Sequence, residues 1–136
     1  MSDIFVFDTN SLISAALVST SVSRKALDKA IALGELAISK ETFDEVIEVL
    51  FRKKFDKYFP DENERWTLIK NLELNATLFL PDIIITACRD PKDNKFLELA
   101  VFAKSSCIIS GDNDLLVLHP FRKIAILNAV DFINTF

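Results

Sequence analysis

The chain has 136 residues, with 16 Lys and Arg against 20 Asp and Glu and a net charge of −4. This length predicts a single domain spanning residues 1–136. The acidic balance excludes a protein that holds nucleic acid by covering its phosphates with basic side chains. If nucleic acid is the substrate, bound divalent metal would have to supply the positive charge, and an acidic pocket would hold it.

The cysteines and the apolar segments indicate the compartment. Cys88 and Cys107 have neither CxxC spacing nor a disulfide framework, which predicts reduced thiols in a cytoplasm. Asp3 stands where a signal peptide would carry a basic residue, and no apolar run approaches the roughly 20 residues of a membrane span. We therefore expect a soluble, cytoplasmic protein without a membrane segment.

The first half of the chain alternates between predicted strands and helices. An apolar run that ends at Asp8 is typical of a strand buried on both faces. Polar breaks and capping residues divide the residues after Asp8 into further elements. The predicted elements are a strand over residues 4–7, a helix over 11–18, a helix from a Ser23 cap to Gly34, a strand over 36–38 and a helix capped by Ser39 with Phe43, Val46, Ile47 and Leu50 inward.

The second half continues the alternation. Asp61 and Glu64 have the spacing of a capping box and predict a helix through about Glu73. Strands and helices that alternate throughout predict an α/β fold with three α/β/α layers around a mostly parallel central sheet. The other expected features are inward Trp66, Ile69 and Leu72, a strand-like segment over 76–86 interrupted by Pro81, a helix over 93–104, strands over 107–109 and 124–127, and a last helix capped by Asn128.

Carboxylates stand where the predicted strands end. Asp8 follows the first strand, Asp112 and Asp114 follow the strand over residues 107–109, and Asp93 opens a helix. Ligands bind beyond the carboxyl ends of strands in open parallel sheets, and acids gathered there repel one another unless cations lie between them. Because oxygen ligands select hard ions, the sequence predicts a Mg²⁺ or Mn²⁺ site at this edge.

Motifs of other chemistries are absent from the sequence. Two glycines leave no room for a phosphate-binding loop, and neither acidic loop has the glycine and glutamate of a calcium-binding loop. The single histidine, His119, lies beside Pro120 and far from any recognisable nucleophile motif. Among the catalytic chemistries considered, metal-dependent chemistry is the one that the sequence still favours.

Four segments, in order, resemble the successive motifs of PIN-domain nucleases. The segments are residues 7–10, residues 39–46 with Glu45, residues 88–96, and residues 110–114. They resemble in particular the VapC-like subgroup, described as toxin components of toxin-antitoxin pairs. Each motif is weak alone, but four with the expected spacing across nearly the whole chain form a strong signal, and none is degraded.

The resemblance implies a metal-dependent endoribonuclease that hydrolyses RNA phosphodiester bonds, using one or two ions. Helical periodicity alone would make Glu45 a surface charge, so its role comes from the resemblance only. The implied catalytic and metal-binding residues are Asp8, Glu45, Asp93 and Asp112, with Asp114 as an auxiliary ligand and with Thr9, Asn10 and Ser110 positioning ligands or waters.

The resemblance also implies partners, namely an RNA substrate, a small antitoxin protein and a second copy of the chain in a homodimer. We expect part of an aromatic cluster to pack against a second subunit or an antitoxin, with ordinary core as the alternative. This cluster consists of Phe51, Phe55, Tyr58 and Phe59. Cations for RNA are expected among Arg89, Lys92 and Lys95, whereas Arg52, Lys53, Lys54 and Lys57 are more typical of a solvated helix end.

Two other functions are compatible with an acidic α/β domain. One is a PIN-like fold kept only for protein interaction. The other is a receiver-like signalling module, which would need an adjacent acid pair after the first strand, where Asp8 is followed by Thr9. A metal-dependent nuclease assay separates the three.

Overall fold

A five-stranded parallel sheet forms the centre of the computed structural model, which describes residues 3–136. Its strands are β1 (Asp3–Phe7), β2 (Gly34–Ile38), β3 (Ala76–Leu78), β4 (Cys107–Ile109) and β5 (Ala125–Leu127). The spatial order is β3-β2-β1-β4-β5, and every neighbouring pair is parallel. The first strand of the chain is therefore the middle strand of the sheet.

Helices connect successive strands and cover the sheet. Two short 3₁₀ segments, Lys53–Tyr58 and Pro91–Asp93, precede the fourth and fifth helices. Within residues 3–136, none of the helices combines the length and apolar character that crossing a bilayer requires. The helices are α1 (Thr9–Leu17), α2 (Val22–Leu33), α3 (Lys40–Leu50), α4 (Glu62–Leu74), α5 (Asn94–Ala103), α6 (Asn113–Leu116) and α7 (Ala129–Thr135).

The alternation of side chains along β1 separates two cores. Phe5 and Phe7 point into a core shared with α1, α2, α3, α4 and α7. Val6 points to the opposite face, where α5, α6 and the segment around Ile85 pack. Both faces of the sheet are thus covered by apolar side chains, which is why the strands read as continuous apolar runs. The predicted three-layer α/β/α fold is confirmed.

Two helices begin earlier than the sequence predicted. The hydroxyl of Ser21 accepts a hydrogen bond from the Arg24 amide at 3.0 Å, so Ser21 caps α2 and the predicted cap at Ser23 is wrong. Likewise α1 begins directly after Asp8, whose carboxylate accepts from the Ser11 amide at 2.9 Å. Each earlier residue has an oxygen that reaches an amide three residues on, so the helix extends back to it.

The prediction that Trp66 faces inward is also wrong. Trp66 is 51% exposed, whereas its neighbour Arg65 is buried. The Arg65 guanidinium lies 4.9 Å from the Phe51 ring centre and 4.8 Å from that of Phe59. It also forms an ion pair with Asp56 at 2.8 Å. Aromatic faces and a carboxylate compensate for burying this cation, so Arg65 takes the inward position of α4.

The predicted aromatic cluster is divided between the core and the surface. Phe59 is buried, and Phe55 packs half-buried against the same core. Phe51 and Tyr58 remain exposed. The core interpretation therefore holds for Phe59 and Phe55, and only Phe51 and Tyr58 present apolar surface to a partner.

The strand-like segment over residues 76–86 pairs with the sheet only at its start. β3 covers Ala76–Leu78, and one further bond runs from the Phe79 amide to the Ile38 carbonyl at 2.8 Å. Pro81 follows shortly afterwards and has no amide hydrogen to donate, so it cannot continue the ladder. The remainder of the segment is extended without strand pairing.

Gly34 ends α2, as predicted, but for another reason than a left-handed helix end. It is the first residue of β2, where β2 runs closely beside β1. A Cβ built on Gly34 would lie 1.9 Å from the carbonyl oxygen of Asp3, far closer than the 3.0 Å below which non-bonded contacts of a Cβ are essentially never found. The absence of a side chain is therefore required for the first rung of the β1–β2 pairing.

Replacing Gly34 by alanine should destabilise the fold. We expect Gly34→Ala to lower the free energy of unfolding by about 2 kcal/mol, since the backbone of β1 must shift to admit a methyl group. Urea denaturation measures this change. Gly111→Ala is the matched control, because a Cβ at Gly111 meets no atom within 4 Å. Equal losses of stability in the two variants would contradict this account.

Candidate metal centre

The sheet brings acids from four separate segments to one edge. Asp8 directly follows β1, and Asp112 follows the end of β4, the neighbour of β1. Glu45 lies on α3, the helix that follows β2, and Asp93 immediately precedes α5. Because the strands are parallel, their carboxyl ends meet at the same edge, where ligands bind in folds of this class.

Three of the acids form a tight trio. One carboxylate oxygen from each of Asp93, Asp112 and Asp114 lies within 4.8 Å of the others. Oxygens that share one hard ion at about 2.1 Å are separated by up to about 4.2 Å, so small adjustments would let the three bind the same ion. Asp8 and Glu45 are not members of this trio. The structure therefore groups Asp93, Asp112 and the auxiliary Asp114, whereas Asp8 and Glu45 lie outside this group.

Asp8 is buried and joined to the trio through Ser110. The Ser110 hydroxyl donates to the Asp8 carboxylate at 2.5 Å and accepts from the Asp112 amide at 2.9 Å. The second Asp8 oxygen accepts from the Ser11 amide. These bonds fix the orientation of the Asp8 carboxylate at the wall of an open depression of about 320 Å³. The depression is lined by Asp8, Asn10, Ser11, Ser14, Ser23, Gly111 and Asp112.

Both oxygens of Glu45 have partners. The Thr9 hydroxyl donates to Oε1, and the Lys95 ammonium lies 2.8 Å from Oε2. Lys95 also donates to the Lys92 carbonyl at 2.7 Å. Periodicity within α3 describes Glu45 as a surface charge, but its side chain is only 27% exposed, because the partners from α1 and α5 cover it.

Asp93 is in a position that disfavours its ionised form. Burial raises the pKa of its carboxyl to about 7, aided by a hydrogen bond shared with Asp112 and by the negative charges of Asp112, Asp90 and Asp114. Its Oδ2 atom is buried and has no hydrogen-bond partner among the described residues. A buried oxygen acceptor among other carboxylates needs a cation as its partner, and a hard divalent ion would meet this need.

Asp114 is paired with an external cation. Arg89 donates two hydrogen bonds to its carboxylate, at 2.8 and 3.0 Å, in a bidentate arrangement. The Arg89 side chain is exposed, so this pair is screened by solvent. Asp112 instead caps the short helix α6, accepting from the Asp114 amide at 2.9 Å. This helix was not predicted, because four residues are too few to show a helical period.

Asn94 supports the centre, although its role was not predicted from the sequence. Its buried side-chain carbonyl accepts from the amides of Ala87 and Cys88, at 3.2 and 2.9 Å. These bonds hold the loop that leads to Asp93. A sequence signal existed, since Asn94 lies three residues before buried Leu97 on α5, and a polar residue on an apolar stripe needs an internal partner.

His119 has a structural role. Its Nδ1 accepts a hydrogen bond from the Ile126 amide at 2.8 Å, which fixes the ring beside β5. That ring nitrogen is thus engaged by the backbone, in keeping with the expectation that His119 does not activate a nucleophile.

Comparisons with known proteins agree with this geometry. A family model described as PIN domain matches residues 5–114. Uncharacterized protein MJ1680 of Methanocaldococcus jannaschii is 30% identical over 129 residues, covering 92% of this chain and 81% of that protein. A chain in the crystal structure of VapBC2 from Rickettsia felis, bound to a DNA fragment from their promoter, matches with a TM-score of 0.64 at 11% identity. That match covers 92% of this chain and 98% of the other chain, and at this identity it concerns the fold.

The raised pKa of Asp93 predicts how stability depends on pH in the presence of a chelator. The folded state binds the Asp93 proton more tightly than the unfolded state does, so the protonated carboxyl stabilises the fold below about pH 4. This contribution is lost as the pH rises towards the folded pKa of about 7. We therefore expect Asp93→Asn to be more stable than the parent protein at pH 8, with a smaller advantage at pH 5.

Chemical denaturation of both proteins at the two pH values measures this difference. Subtracting one protein from the other cancels every titration that they share. Parallel pH dependences in the parent and Asp93→Asn would show that Asp93 has an ordinary proton affinity.

Proposed function

The chain belongs to the PIN domain family, a family of nucleases, and from this premise we propose that it is a Mg²⁺- or Mn²⁺-dependent endoribonuclease. We further propose that residues 1–136 form a single PIN-like domain. The observation that carries the proposal is the trio of carboxylates with a buried, unpartnered oxygen on Asp93. Such a group is costly to build in a protein that never binds a cation there.

We propose that five acids would hold the ion. Asp93, Asp112 and Asp114 would supply the central oxygens, and Asp8 and Glu45 would supply further ligands from the two flanks. Ser110 and Thr9 orient the two flanking carboxylates through their hydroxyl groups. A bound Mg²⁺ or Mn²⁺ would lower the pKa of a water molecule, which makes hydroxide available for attack on phosphorus at neutral pH.

Preorganisation is the contribution of the protein itself. Asp8 is fixed by Ser11 and Ser110, so its carboxylate loses little conformational freedom when a ligand arrives. Asn10 lines the same depression and is exposed there, which places an amide within reach of waters or substrate. These groups would thus hold a phosphate and its waters beside the bound ion.

The cations near the acids suit a phosphate-bearing substrate. Arg89 and Lys95 are each paired with an acid of the centre, and the Lys92 carbonyl accepts from Lys95. A chain with a net charge of −4 does not attract nucleic acid as a whole, so local cations must guide the strand to the site.

The receiver-like alternative loses support from the topology. Receiver-like signalling domains have strand order 2-1-3-4-5, with the first strand next to the third. Here β1 lies between β2 and β4. A non-catalytic interaction module would share the observed fold, and it becomes the outcome if cleavage is not found.

We place this nuclease in the cytoplasm as the toxin of a toxin-antitoxin pair, acting as a homodimer held in check by a small antitoxin. The fold neighbour comes from a complex titled VapBC2, which supports an antitoxin partner by analogy of fold. Exposed Phe51 and Tyr58, together with Trp66, whose ring centre lies 5.0 Å from that of Phe51, offer apolar surface for such a contact.

RNA cleavage should depend on the ion and on Asp93. We expect Asp93→Asn to lower cleavage of a single-stranded RNA oligonucleotide by at least about 100-fold, because it removes a ligand charge while preserving shape. Addition of Mn²⁺ should raise the melting temperature of the parent protein and not that of Asp93→Asn. Gel-resolved cleavage products and thermal unfolding measure the two effects.

A distant acid provides the control for this experiment. Asp131→Asn removes an exposed carboxylate from the first turn of α7 and should retain both cleavage and the thermal response. A DNA oligonucleotide of the same sequence tests the preference for RNA. Full cleavage in excess chelator would rule out the proposed mechanism, and a metal-binding but inert protein would indicate the interaction module.

Expression in a bacterial host tests the toxin role separately from the chemistry. We expect induction of the parent chain to arrest growth and induction of Asp93→Asn to be tolerated at equal protein level. Coexpression of a small DNA-binding protein encoded next to this gene should restore growth. Arrest by both variants would mean that toxicity does not arise from the metal centre.

A further inference from the structure

The ion pair between Lys95 and Glu45 differs from the other ion pairs among the described residues. The Lys95 side chain is 18% exposed and that of Glu45 is 27% exposed. In each remaining pair at least one side chain is largely exposed, as in Lys40–Asp44, with 76% and 58%. The Lys95–Glu45 pair is therefore shielded from water on both sides, and its attraction is weakened less by solvent.

Together with Thr9, this pair gives each oxygen of the Glu45 carboxylate a partner. The Thr9 hydroxyl donates to Oε1, while the Lys95 ammonium lies 2.8 Å from Oε2. Each carboxylate oxygen has a second lone pair that could face an ion, so what decides the outcome is the charge of the partner already present. The hydroxyl is neutral and can continue to orient Oε1, whereas an ammonium and a divalent ion would repel each other across Oε2.

The surroundings of Lys95 indicate where its charge would go. Lys95 follows Asp93 by two residues in the sequence, and its ammonium donates to the Lys92 carbonyl at 2.7 Å. This bond anchors the side chain at the site even without Glu45. An ammonium has three donors, so another remains for a substrate oxygen. Arg89, in contrast, is fixed to Asp114 by two bonds.

We propose that Lys95 exchanges partners at this site: it holds Glu45 through Oε2 until an ion takes that oxygen, and its released ammonium then contacts a non-bridging oxygen of the RNA phosphate. This inference rests on the proposed function and adds to it a specific residue and an order of events. Lys95 is thus a positioning residue towards Glu45 and a direct contact towards the substrate. No covalent bond of the protein is formed or broken in the exchange: the ion would replace the ammonium at Oε2, and the ammonium would exchange its carboxylate partner for a phosphate oxygen.

The exchange predicts tighter ion binding when Lys95 is removed. After treatment with chelator and dialysis, Lys95→Met should bind Mn²⁺ about fivefold more tightly than the parent in calorimetric titration, because the competing cation is gone. Lys40→Met is the matched control: it removes the lysine of another ion pair on α3, 2.7 Å from its acid but exposed, and should leave the affinity unchanged.

A double-mutant cycle tests whether the effect passes through Glu45. In a Glu45→Gln background, Lys95→Met should change the Mn²⁺ affinity much less than in the parent, since the amide no longer pairs with the ammonium. An equal gain in both backgrounds would mean that Lys95 acts only as a nearby charge, and it would overturn the exchange. Lys95→Gln repeats the test with a side chain that can still donate to the Lys92 carbonyl, in case the methionine variant is poorly folded.

RNA cleavage provides the second measurement. At saturating Mn²⁺, Lys95→Met should cleave the RNA oligonucleotide about tenfold more slowly or worse, and Lys95→Arg should retain more activity because it keeps the charge. Tighter Mn²⁺ binding together with slower cleavage supports the proposal.

The failures can be told apart. Unchanged or weaker Mn²⁺ affinity in Lys95→Met, or unimpaired cleavage at saturating ion, overturns the role of Lys95 and leaves the nuclease assignment standing. A parent protein that neither binds Mn²⁺ nor cleaves RNA overturns both.

Discussion

Mutual repulsion among carboxylates at one edge of the sheet is the constraint around which the site is organised. A parallel sheet brings the ends of its strands together, and in this chain those ends carry acids. Most of the acids have a compensating donor or cation: serine for Asp8, threonine and lysine for Glu45, and arginine for Asp114. Asp93 has a buried oxygen without such a partner, so it carries the remaining unfavourable energy as a raised pKa.

The layered fold could be predicted from the sequence because its signals are local. Apolar runs give the strands, and the cap at Ser39 is read within one helical turn. The inward position on α4 could not be predicted in this way. Arg65 is buried because two aromatic rings and a carboxylate from the segment before α4 surround it, and the sequence of α4 contains no trace of them. Gly34 likewise has the sequence signature of a helix end, but glycine is required at this position because the backbone of β1 lies against it.

The same division applies to the candidate site. Asp8 and Asp112 could be identified from their positions after apolar strands, since the topology of parallel sheets assigns a function to that position. Glu45 gave no such signal, because periodicity describes a residue only relative to its own helix. Its environment comes from Thr9 on α1 and Lys95 on α5, on either side of it in sequence, and only the resemblance to a family pointed to it.

The position of β1 between β2 and β4 has a consequence during protein synthesis. Val6 pairs in register with Ile108, so the middle of the sheet joins two segments that are far apart in the sequence. At roughly 5 to 20 residues per second, translation separates Asp8 from Asp112 by on the order of 5 to 20 s. During that interval the ribosome-bound chain lacks the pairing between β1 and β4 and part of its set of acids. The acidic centre therefore cannot be assembled until Asp112 and Asp114 have been synthesised.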